Sequence, residues 1–247
     1  MNTILNMQKV KICLKTPKKV DNNIILEDIS IQLDVGKNYV LAGQNGSGKS
    51  SMFLAIMDHY KYEIADGQID FNNQNLLKLD TSDRARLGIY LSLQQSVEIE
   101  GLSIMQFLKY AMTNFMERTK LSAMEFFKEV AEGFQFLNIP DEWRTRSINV
   151  GFSGGEKKRL ELLQLFLLRP KLVLLDEIDS GVDANLMLDI VKIIELLNKE
   201  NNTAFFIISH QKNLLDKLNI EKVFLLENQT VKRSGDKTLL EEIYNRK

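Results

Sequence analysis

Short apolar segments alternate with polar turns over the first part of the chain, and this pattern predicts a β-rich beginning. Turn-forming runs at 16–23 and 35–37 separate the first three strands, and the third strand continues directly into a glycine-rich loop. A helix and a fourth strand follow the loop. The predicted strands are Lys9–Leu14, Ile24–Leu33, Asn38–Ala42 and Gln68–Phe71, and the predicted helix is Ser51–His59.

A helical period begins near Leu102. Apolar residues recur there at i, i+3, i+4, i+7 and i+11, which predicts one apolar helix face. Ser122 and Glu125 have the spacing of a capping box, so a second amphipathic helix is expected to begin there. We therefore expect a helical insertion over about 102–146. The predicted faces are Ile104, Phe107, Leu108, Ala111 and Phe115 in the first helix, and Phe127, Val130, Ala131 and Phe134 in the second.

The last third of the chain alternates helices with fully apolar strands. Such an order is typical of an α/β protein whose sheet is mainly parallel and covered by helices. At 247 residues, 44% of them hydrophobic and 26% charged, the chain is expected to form one domain over 1–247. The predicted elements are the helices Gly155–Leu168 and Ala184–Asn198 and the strands Leu172–Asp176 and Thr203–Ser209.

Composition narrows the classes of partner. The formal net charge is −1 and both signs are interspersed, so a nucleic-acid partner is not expected. The longest apolar runs, such as 172–175 and 204–209, are far shorter than the roughly 20 residues that span a bilayer, so a soluble protein without membrane insertion is expected. Cys13 is the only cysteine, which rules out an intramolecular disulfide.

A phosphate-binding loop is predicted at 43–50, which reads GQNGSGKS and matches G-x-x-x-x-G-K-[ST] between a strand and a helix. Gly43, Gly46 and Gly48 allow backbone N–H groups to approach the phosphates closely. Lys49 is predicted to contact the β- and γ-phosphates, and the Ser50 hydroxyl is predicted to bind Mg²⁺.

Two carboxylates follow the buried strand Leu172–Asp176. Open α/β sheets bind ligands at the carboxyl ends of their strands. Asp176 is therefore predicted to make the outer contact to Mg²⁺, and Glu177 is predicted to act as the general base that orients the attacking water.

A second anion cradle is predicted where FSGGE at 152–156 leads into a helix. One domain has no obvious use for two cradles on the same γ-phosphate. At this point the sequence resembles the ABC ATPase family, whose LSGGQ-like signature completes the ATP site of the opposite subunit. The resemblance implies that Ser153, Gly154, Gly155 and Glu156 act in trans, in an ATP-dependent dimer.

The resemblance extends over nearly the whole chain and implies roles for further residues. Gln94 fits the Q-loop, IDSGVD at 178–183 fits the D-loop along the dimer interface, and His210 fits the switch histidine that contacts the γ-phosphate. The implied fold is the P-loop ABC-ATPase fold, with a RecA-like, mainly parallel core, an N-terminal antiparallel β subdomain and a helical insertion.

The implied site has three groups of residues, for ATP and Mg²⁺ as cofactors. The catalytic group is Lys49, Gln94, Glu177 and His210. The metal group is Ser50, Gln94 and Asp176. The nucleotide contacts are Gly43, Gln44, Asn45, Gly46, Ser47, Gly48, Lys49, Ser50, Ser51, Ser153, Gly154, Gly155, Glu156, Asp179 and Asp183.

Within the family the sequence is most similar to the SufC subgroup, the ATPase subunits of SUF iron–sulfur cluster assembly. Three stretches carry this similarity: SINVGFSGGEKKR at 147–159, DRARLGIYLSLQQSVEIEGLS at 83–103 and LLDEIDSGVD at 174–183. The similarity implies SufB- and SufD-like scaffold partners, held between the Gln94 loop and the insertion. It also implies a bacterial cytoplasm or the stroma of a plastid-type organelle, such as an apicoplast or chloroplast.

Some features depart from the subgroup or leave alternatives open. Gln95 and Ser96 replace a more usual Tyr-Pro, and Val20 stands where an aromatic residue would stack on adenine. The ATPase of a membrane transporter is a second interpretation with the same chemistry. A nucleotide-gated module with little turnover is a third, against which the intact Glu177 and His210 argue. Lys157 or Lys158 is further predicted to pair with Glu177 in an isolated monomer.

Overall fold

The computed structural model describes residues 2–15, 23–92, 96–115 and 121–245. Its strands there are β1 (Thr3–Leu14), β2 (Ile24–Asp34), β3 (Asn38–Gly43), β4 (Tyr62–Phe71), β5 (Gln74–Asn75), β6 (Ile89–Ser92), β7 (Ile99–Ser103), β8 (Ser147–Ile148), β9 (Leu172–Asp176), β10 (Ala204–Ile208), β11 (Ile220–Glu227) and β12 (Thr230–Gly235). The helices are α1 (Lys49–Ile56), α2 (Thr81–Arg86), α3 (Ile104–Asn114), α4 (Ala123–Phe136), α5 (Gly154–Leu168), α6 (Ala184–Asn201), α7 (Lys212–Lys217) and α8 (Thr238–Asn245).

The larger sheet has six strands in the order β12–β11–β3–β10–β9–β6. All neighbours are parallel except β11 and β12. The predicted α/β class with a mainly parallel sheet is therefore confirmed. Because β3, β10 and β9 are parallel neighbours, their last residues, Gly43, Ile208 and Asp176, lie at the same edge of the sheet. Ligands of open α/β sheets bind at this edge.

The two faces of this sheet belong to two hydrophobic cores, and the alternation along single strands shows why. In β10, Phe205 and Ile207 join the core that contains α5, α6 and the insertion, whereas Phe206 and Ile208 join the core that contains α1 and the N-terminal strands. A strand covered on both faces needs apolar residues at every position. This burial explains the continuous apolar runs in the last third of the sequence.

The N-terminal antiparallel sheet has the order β2–β1–β4–β5, as the implied fold requires. Both β1 and β4 begin six residues earlier than their apolar patterns predicted, at Thr3 and Tyr62. The predictions were too short because bulges interrupt the alternation. Lys9 has a φ of 50°, and a Cβ at Gly67 would lie 2.5 Å from the Lys9 carbonyl oxygen.

The helices α3 and α4 occupy the predicted insertion. Both begin with capping boxes, at Ser103 and at the predicted Ser122. The predicted face of α4 is wrong at two positions, because Phe127 and Ala131 are exposed and Phe126 is buried instead. Gly133 explains the rotation: a Cβ there would lie 2.7 Å from Leu163 of α5, so the two helices approach closely along the glycine face.

Within the described ranges, no helix is both long enough and apolar enough to cross a membrane.

Candidate functional site

The predicted phosphate-binding loop connects β3 to α1 at the carboxyl edge of the larger sheet. Lys49 is only 6% exposed, and its Nζ donates hydrogen bonds to the carbonyl oxygens of Gly43 (2.9 Å) and Gln44 (3.0 Å). The ammonium group is thus held against the loop itself. Gln44, Asn45 and the glycine after them are exposed, so the outer side of the loop is open to a ligand.

Two glycines of the loop are required by their surroundings. Gly48 caps α1 with a φ of 100°, and a Cβ there would lie 2.8 Å from the Leu26 side chain. At Gly43 a Cβ would lie 2.5 Å from the carbonyl oxygen of Leu226. The buried Ser47 hydroxyl has no hydrogen-bond partner in the described part of the chain. The inner side of the loop is therefore tightly packed against Leu26 and Leu226, and the Ser47 hydroxyl is left without a hydrogen bond from the described residues.

Asp176 provides the test of whether the site suits Mg²⁺. The side chain is 7% exposed, and its buried Oδ1 has no hydrogen-bond partner among the described residues. Burial raises the pKa of this carboxyl, and the Ser50 hydroxyl and the Lys49 and His210 side chains partly offset the effect. Mg²⁺ prefers carboxylate and hydroxyl oxygens. Ser50 and Asp176, the predicted metal ligands, lie together and fit such an ion.

Glu177 and His210 are brought together at the same edge. Glu177 has a φ of 53°, a left-handed conformation that is strained for a glutamate, and its N–H donates to the carbonyl oxygen of Ile208 (3.0 Å). Its carboxylate Oε1 lies 3.5 Å from Nε2 of His210. The turn after β9 therefore directs the carboxylate toward the imidazole, although the two residues are far apart in sequence.

Asp179 and Asp183, the predicted D-loop contacts, have different surroundings. Asp179 is buried; its carboxylate accepts a hydrogen bond from the Ser209 hydroxyl, and its carbonyl oxygen accepts one from Gln211 Nε2. Asp183 is exposed and caps α6 by accepting from the Leu186 N–H at 2.8 Å. The Asp179 side chain thus braces the segment that carries His210.

Sequence reasoning missed the residues that support this segment. The Tyr244 hydroxyl of α8 donates to the Ser209 carbonyl oxygen at 3.5 Å. Burial, and then the charges of Asp179 and Asp216, raise the pKa of Tyr244 to about 12. The three polar residues Ser209–Gln211 at the end of a strand could have indicated this supporting network from the sequence. No sequence pattern connects Tyr244 with them.

A cavity of about 160 Å³ joins the loop to the histidine. It lies between the end of β3, the end of β10 and α8. Its polar lining includes Gly43, Gln44, Lys49, Ser209, His210 and Tyr244.

The signature segment lies apart from this cavity, at the N-terminus of α5, and none of its residues lines the cavity wall. Ser153 and Glu156 form a capping box, with Ser153 N–H to Glu156 Oε2 at 2.8 Å. The backbone N–H and the hydroxyl of Ser153 lower the pKa of Glu156. Ser153 and Gly154 are exposed, and a Cβ at Gly154 would have no neighbour within 4 Å. Gly155 is half-buried.

The two lysines after the signature have different partners. Lys158 Nζ donates to the backbone carbonyl oxygen of Glu177 at 3.2 Å, so it is the lysine that contacts this residue. Lys157 instead forms an ion pair with Glu98 at 2.6 Å.

Among the remaining predicted site residues, Ser51 donates a hydrogen bond to the Tyr62 hydroxyl at 3.2 Å. Gln94, Gln95 and Val20 lie outside the described residues.

Comparison with solved structures shows the fold. An ATP-binding cassette, MJ0796, in a post-hydrolysis dimer with ADP and Pi has a TM-score of 0.79 at 19% identity, over 94% of this chain and 98% of that one. A nucleotide-free cassette from an ABC transporter has a TM-score of 0.76 at 19% identity, over 98% and 95% of the two chains. The predicted ABC-ATPase fold is therefore confirmed.

Sequence comparisons show the family. A family model described as ABC transporter matches residues 26–180. The probable ATP-dependent transporter ycf16 of Cyanophora paradoxa is 35% identical over 245 residues, covering 97% of this chain and 94% of the relative. The probable ATP-dependent transporter SufC of Escherichia coli K12 is 34% identical over 227 residues, covering 91% of each. The chain therefore belongs to the ABC transporter family, as an ATP-binding ABC ATPase of the group that includes SufC and ycf16.

Proposed function

We propose that this chain hydrolyses Mg-ATP between two copies of itself and uses the cycle to rearrange SufB- and SufD-like scaffold proteins during iron–sulfur cluster assembly. One observation carries the proposal. The phosphate loop, Asp176, Glu177 and His210 meet at one sheet edge, whereas the signature is an exposed segment elsewhere on the surface. Each copy thus offers two separate halves of a nucleotide site.

The chemistry follows from the groups at the sheet edge. Lys49 and the backbone N–H groups of the loop bind the phosphates. The Glu177 carboxylate orients the attacking water and accepts its proton, and His210, 3.5 Å away, holds that carboxylate in place. Ser50 and Asp176 would hold Mg²⁺, which when bound neutralises charge on the β- and γ-phosphates.

The second copy supplies the signature. The Ser153–Glu156 capping box fixes the first turn of α5 without using the remaining N–H groups of that turn, so the helix N-terminus stays available to an anion. An exposed Gly154 allows a phosphate to approach the backbone. The two-fold pairing of identical cassettes would form two composite sites.

The client is proposed from the similarity to SufC, and a bacterial cytoplasm or a plastid-type organelle is proposed as the compartment. A second candidate is the ATPase of a membrane transporter. The names of the relatives favour it, since they read "probable ATP-dependent transporter". The nucleotide chemistry is the same in both, and the partner protein differs.

A pull-down from native extract distinguishes the two candidates. Glu177→Gln protein in Mg-ATP serves as bait, because a variant that binds ATP without hydrolysing it should accumulate in the closed dimer. Recovery of SufB- and SufD-like proteins that stimulate the parent ATPase is the expected result. Recovery of a membrane permease would instead support the second candidate, the ATPase of a membrane transporter. Lys49→Met protein, which should not retain ATP, is the matched control bait.

A further inference from the structure

A carboxylate lies within the signature segment, where its charge opposes the binding of an anion. Glu156 is in the first turn of α5, and its Oε2 accepts a hydrogen bond from the Ser153 N–H at 2.8 Å. This bond holds a negative charge at the helix N-terminus that the proposed function offers to a phosphate group. Because like charges repel at short distance, the charge of Glu156 has to be balanced before a phosphate can bind there.

Arg146 brings a positive charge to this carboxylate. Its Nη1 lies 3.6 Å from Oε1 of Glu156, in an ion pair between two partly exposed side chains. The hydrogen bonds from Ser153 lower the pKa of Glu156 most, and the charge of Arg146 lowers it further. Within the part of the chain that the structure describes, Glu156 forms no other ion pair. Arg146 therefore balances the charge of the acid in the signature.

The two lysines that follow Glu156 in the sequence have other partners. Lys157 forms its ion pair with Glu98, and Lys158 donates to the carbonyl oxygen of Glu177. Both ammonium groups are thus engaged elsewhere, although the lysines are the nearest cations to Glu156 along the chain. The balancing charge comes instead from a residue that precedes the signature motif.

The Arg146 guanidinium has contacts that do not depend on Glu156. Its Cζ lies over the buried Phe152 ring, 3.9 Å from the ring centroid, and its Nη2 donates to the Gly151 carbonyl oxygen at 3.5 Å. The Arg146 carbonyl oxygen accepts from the N–H of Ile104, the first residue of α3, at 3.0 Å. The insertion and the segment before the signature therefore place this charge beside the first turn of α5.

We propose that Arg146 is a positioning residue of the signature, which neutralises Glu156 so that α5 can bind the phosphate of a nucleotide held by the second copy. The inference rests on the proposed function and adds a residue outside the signature motif on which the contact between copies depends. Arg146 acts through Glu156. Its loss should weaken ATP-dependent dimerisation and leave ATP binding to the phosphate loop unchanged.

Arg144, just before Arg146 in the chain, offers a matched control. It also pairs with a carboxylate, that of Asp141 at 2.9 Å, and its guanidinium also lies over an aromatic ring, 4.5 Å from the centroid of Phe134. Asp141 is outside the signature. Arg144→Gln therefore removes the same kinds of contact as Arg146→Gln without leaving an unbalanced acid at the N-terminus of α5.

The first test measures dimerisation in a Glu177→Gln background, in which the ATP-bound dimer should accumulate. Sedimentation velocity at rising Mg-ATP concentration gives the concentration for half-maximal dimerisation. Arg146→Gln should raise this concentration at least about fivefold, because an unbalanced carboxylate remains beside the phosphate. Arg146→Lys keeps the charge and should raise it less than about threefold. Arg144→Gln should change it less than about twofold.

The second test separates charge balance from a role in packing. Adding Glu156→Gln to Arg146→Gln removes the unbalanced acid, and the glutamine still completes the capping box. The double variant should return to within about twofold of the Glu177→Gln protein. A packing role would not be repaired in this way, since the contact with Phe152 is still missing. ATP affinity of the phosphate loop, from equilibrium dialysis at protein concentrations below dimerisation, should be equal in all variants.

The outcomes distinguish the inference from the proposed function. If the Glu177→Gln protein dimerises in Mg-ATP and Arg146→Gln leaves this unchanged, the inference is overturned and the proposed function stands. The same holds if Arg144→Gln weakens dimerisation equally, if Glu156→Gln does not rescue Arg146→Gln, or if Arg146→Gln protein does not fold. If the Glu177→Gln protein does not dimerise in Mg-ATP, the proposed two-copy site and the inference are both overturned.

Discussion

Two helix N-termini in this protein are the proposed anion cradles, and they are held in opposite ways. The loop before α1 is packed from behind by Leu26 and Leu226, and it binds its own buried Lys49. The cradle at α5 is exposed, and the capping box of Ser153 and Glu156 holds it locally. One cradle is thus packed against a hydrophobic core on its inner side, and the other lies on the surface.

The difference teaches how function is tied to stability in each cradle. Changes in a cradle that is packed into a core alter the fold as well as the chemistry. Changes in an exposed, locally capped cradle can alter its contacts with a second copy while the fold stays intact. A surface cradle is also the one that a second copy can reach, which is why the proposed dimer uses the α5 cradle in trans.

The largest expected effect separates the acids of the two cradles. Glu177→Gln should lower ATP hydrolysis by about 10²–10⁴-fold, because it removes the proposed general base. ATP binding should persist in an equilibrium dialysis assay. Glu156→Gln is the matched control and should keep most of the activity, since glutamine also completes a capping box. Equal losses in both variants would remove the distinction between a catalytic and a positioning acid.

A mixing experiment tests whether the second cradle acts in trans. Lys49→Met should inactivate the loop, and Gly154→Asp should repel phosphate from the signature. Each protein alone should be inactive. Their mixture should regain part of the steady-state ATPase, because a mixed dimer contains one site with an intact loop and an intact signature. A mixture that stays inactive, from variants that are folded and still form dimers, would place both cradles in the same copy.

The same substitution in both cradles should affect stability unequally. Gly48→Ala forces alanine into a φ of 100° and against Leu26, and it should cost about 1–3 kcal/mol of unfolding free energy. Gly154→Ala meets open space in the first turn of a helix and should change stability by less than about 0.5 kcal/mol. Urea denaturation of the two variants measures both values. Similar costs would show that the signature is also packed into the core.

The smallest expected effect is a difference in pH dependence. Burial raises the pKa of Asp176 above 3.8, so Asp176→Asn should stabilise the nucleotide-free protein at pH 8, with the gain shrinking as the pH falls toward that value. Hydrogen bonds lower the pKa of Glu156 below 4.5, so its stabilisation is complete above 4.5 and is lost only at lower pH. Glu156→Gln should therefore cost a small, constant amount between pH 8 and pH 5 in thermal melts. Parallel pH curves for the two variants would contradict this assignment.

The elements that were predicted best are those whose sequence period matches their burial. The strand Leu172–Asp176 was predicted residue for residue, and the helix Gly155–Leu168 begins only one residue earlier, at Gly154. The prediction failed where a neighbour decided the outcome. The apolar face of α4 is rotated because Gly133 packs against α5, and β1 continues through a bulge at Lys9.

The sequence by itself determined the α/β class and the chemistry of the motifs, because strand alternation, helix period and a glycine-rich loop are local properties of the chain. Only the tertiary structure decided which side chains meet. Asp179 points inward to Ser209, and Tyr244 reaches the same segment from α8. These contacts depend on how the sheet and the helices pack, and no local pattern in the sequence records the distance between residues on different elements.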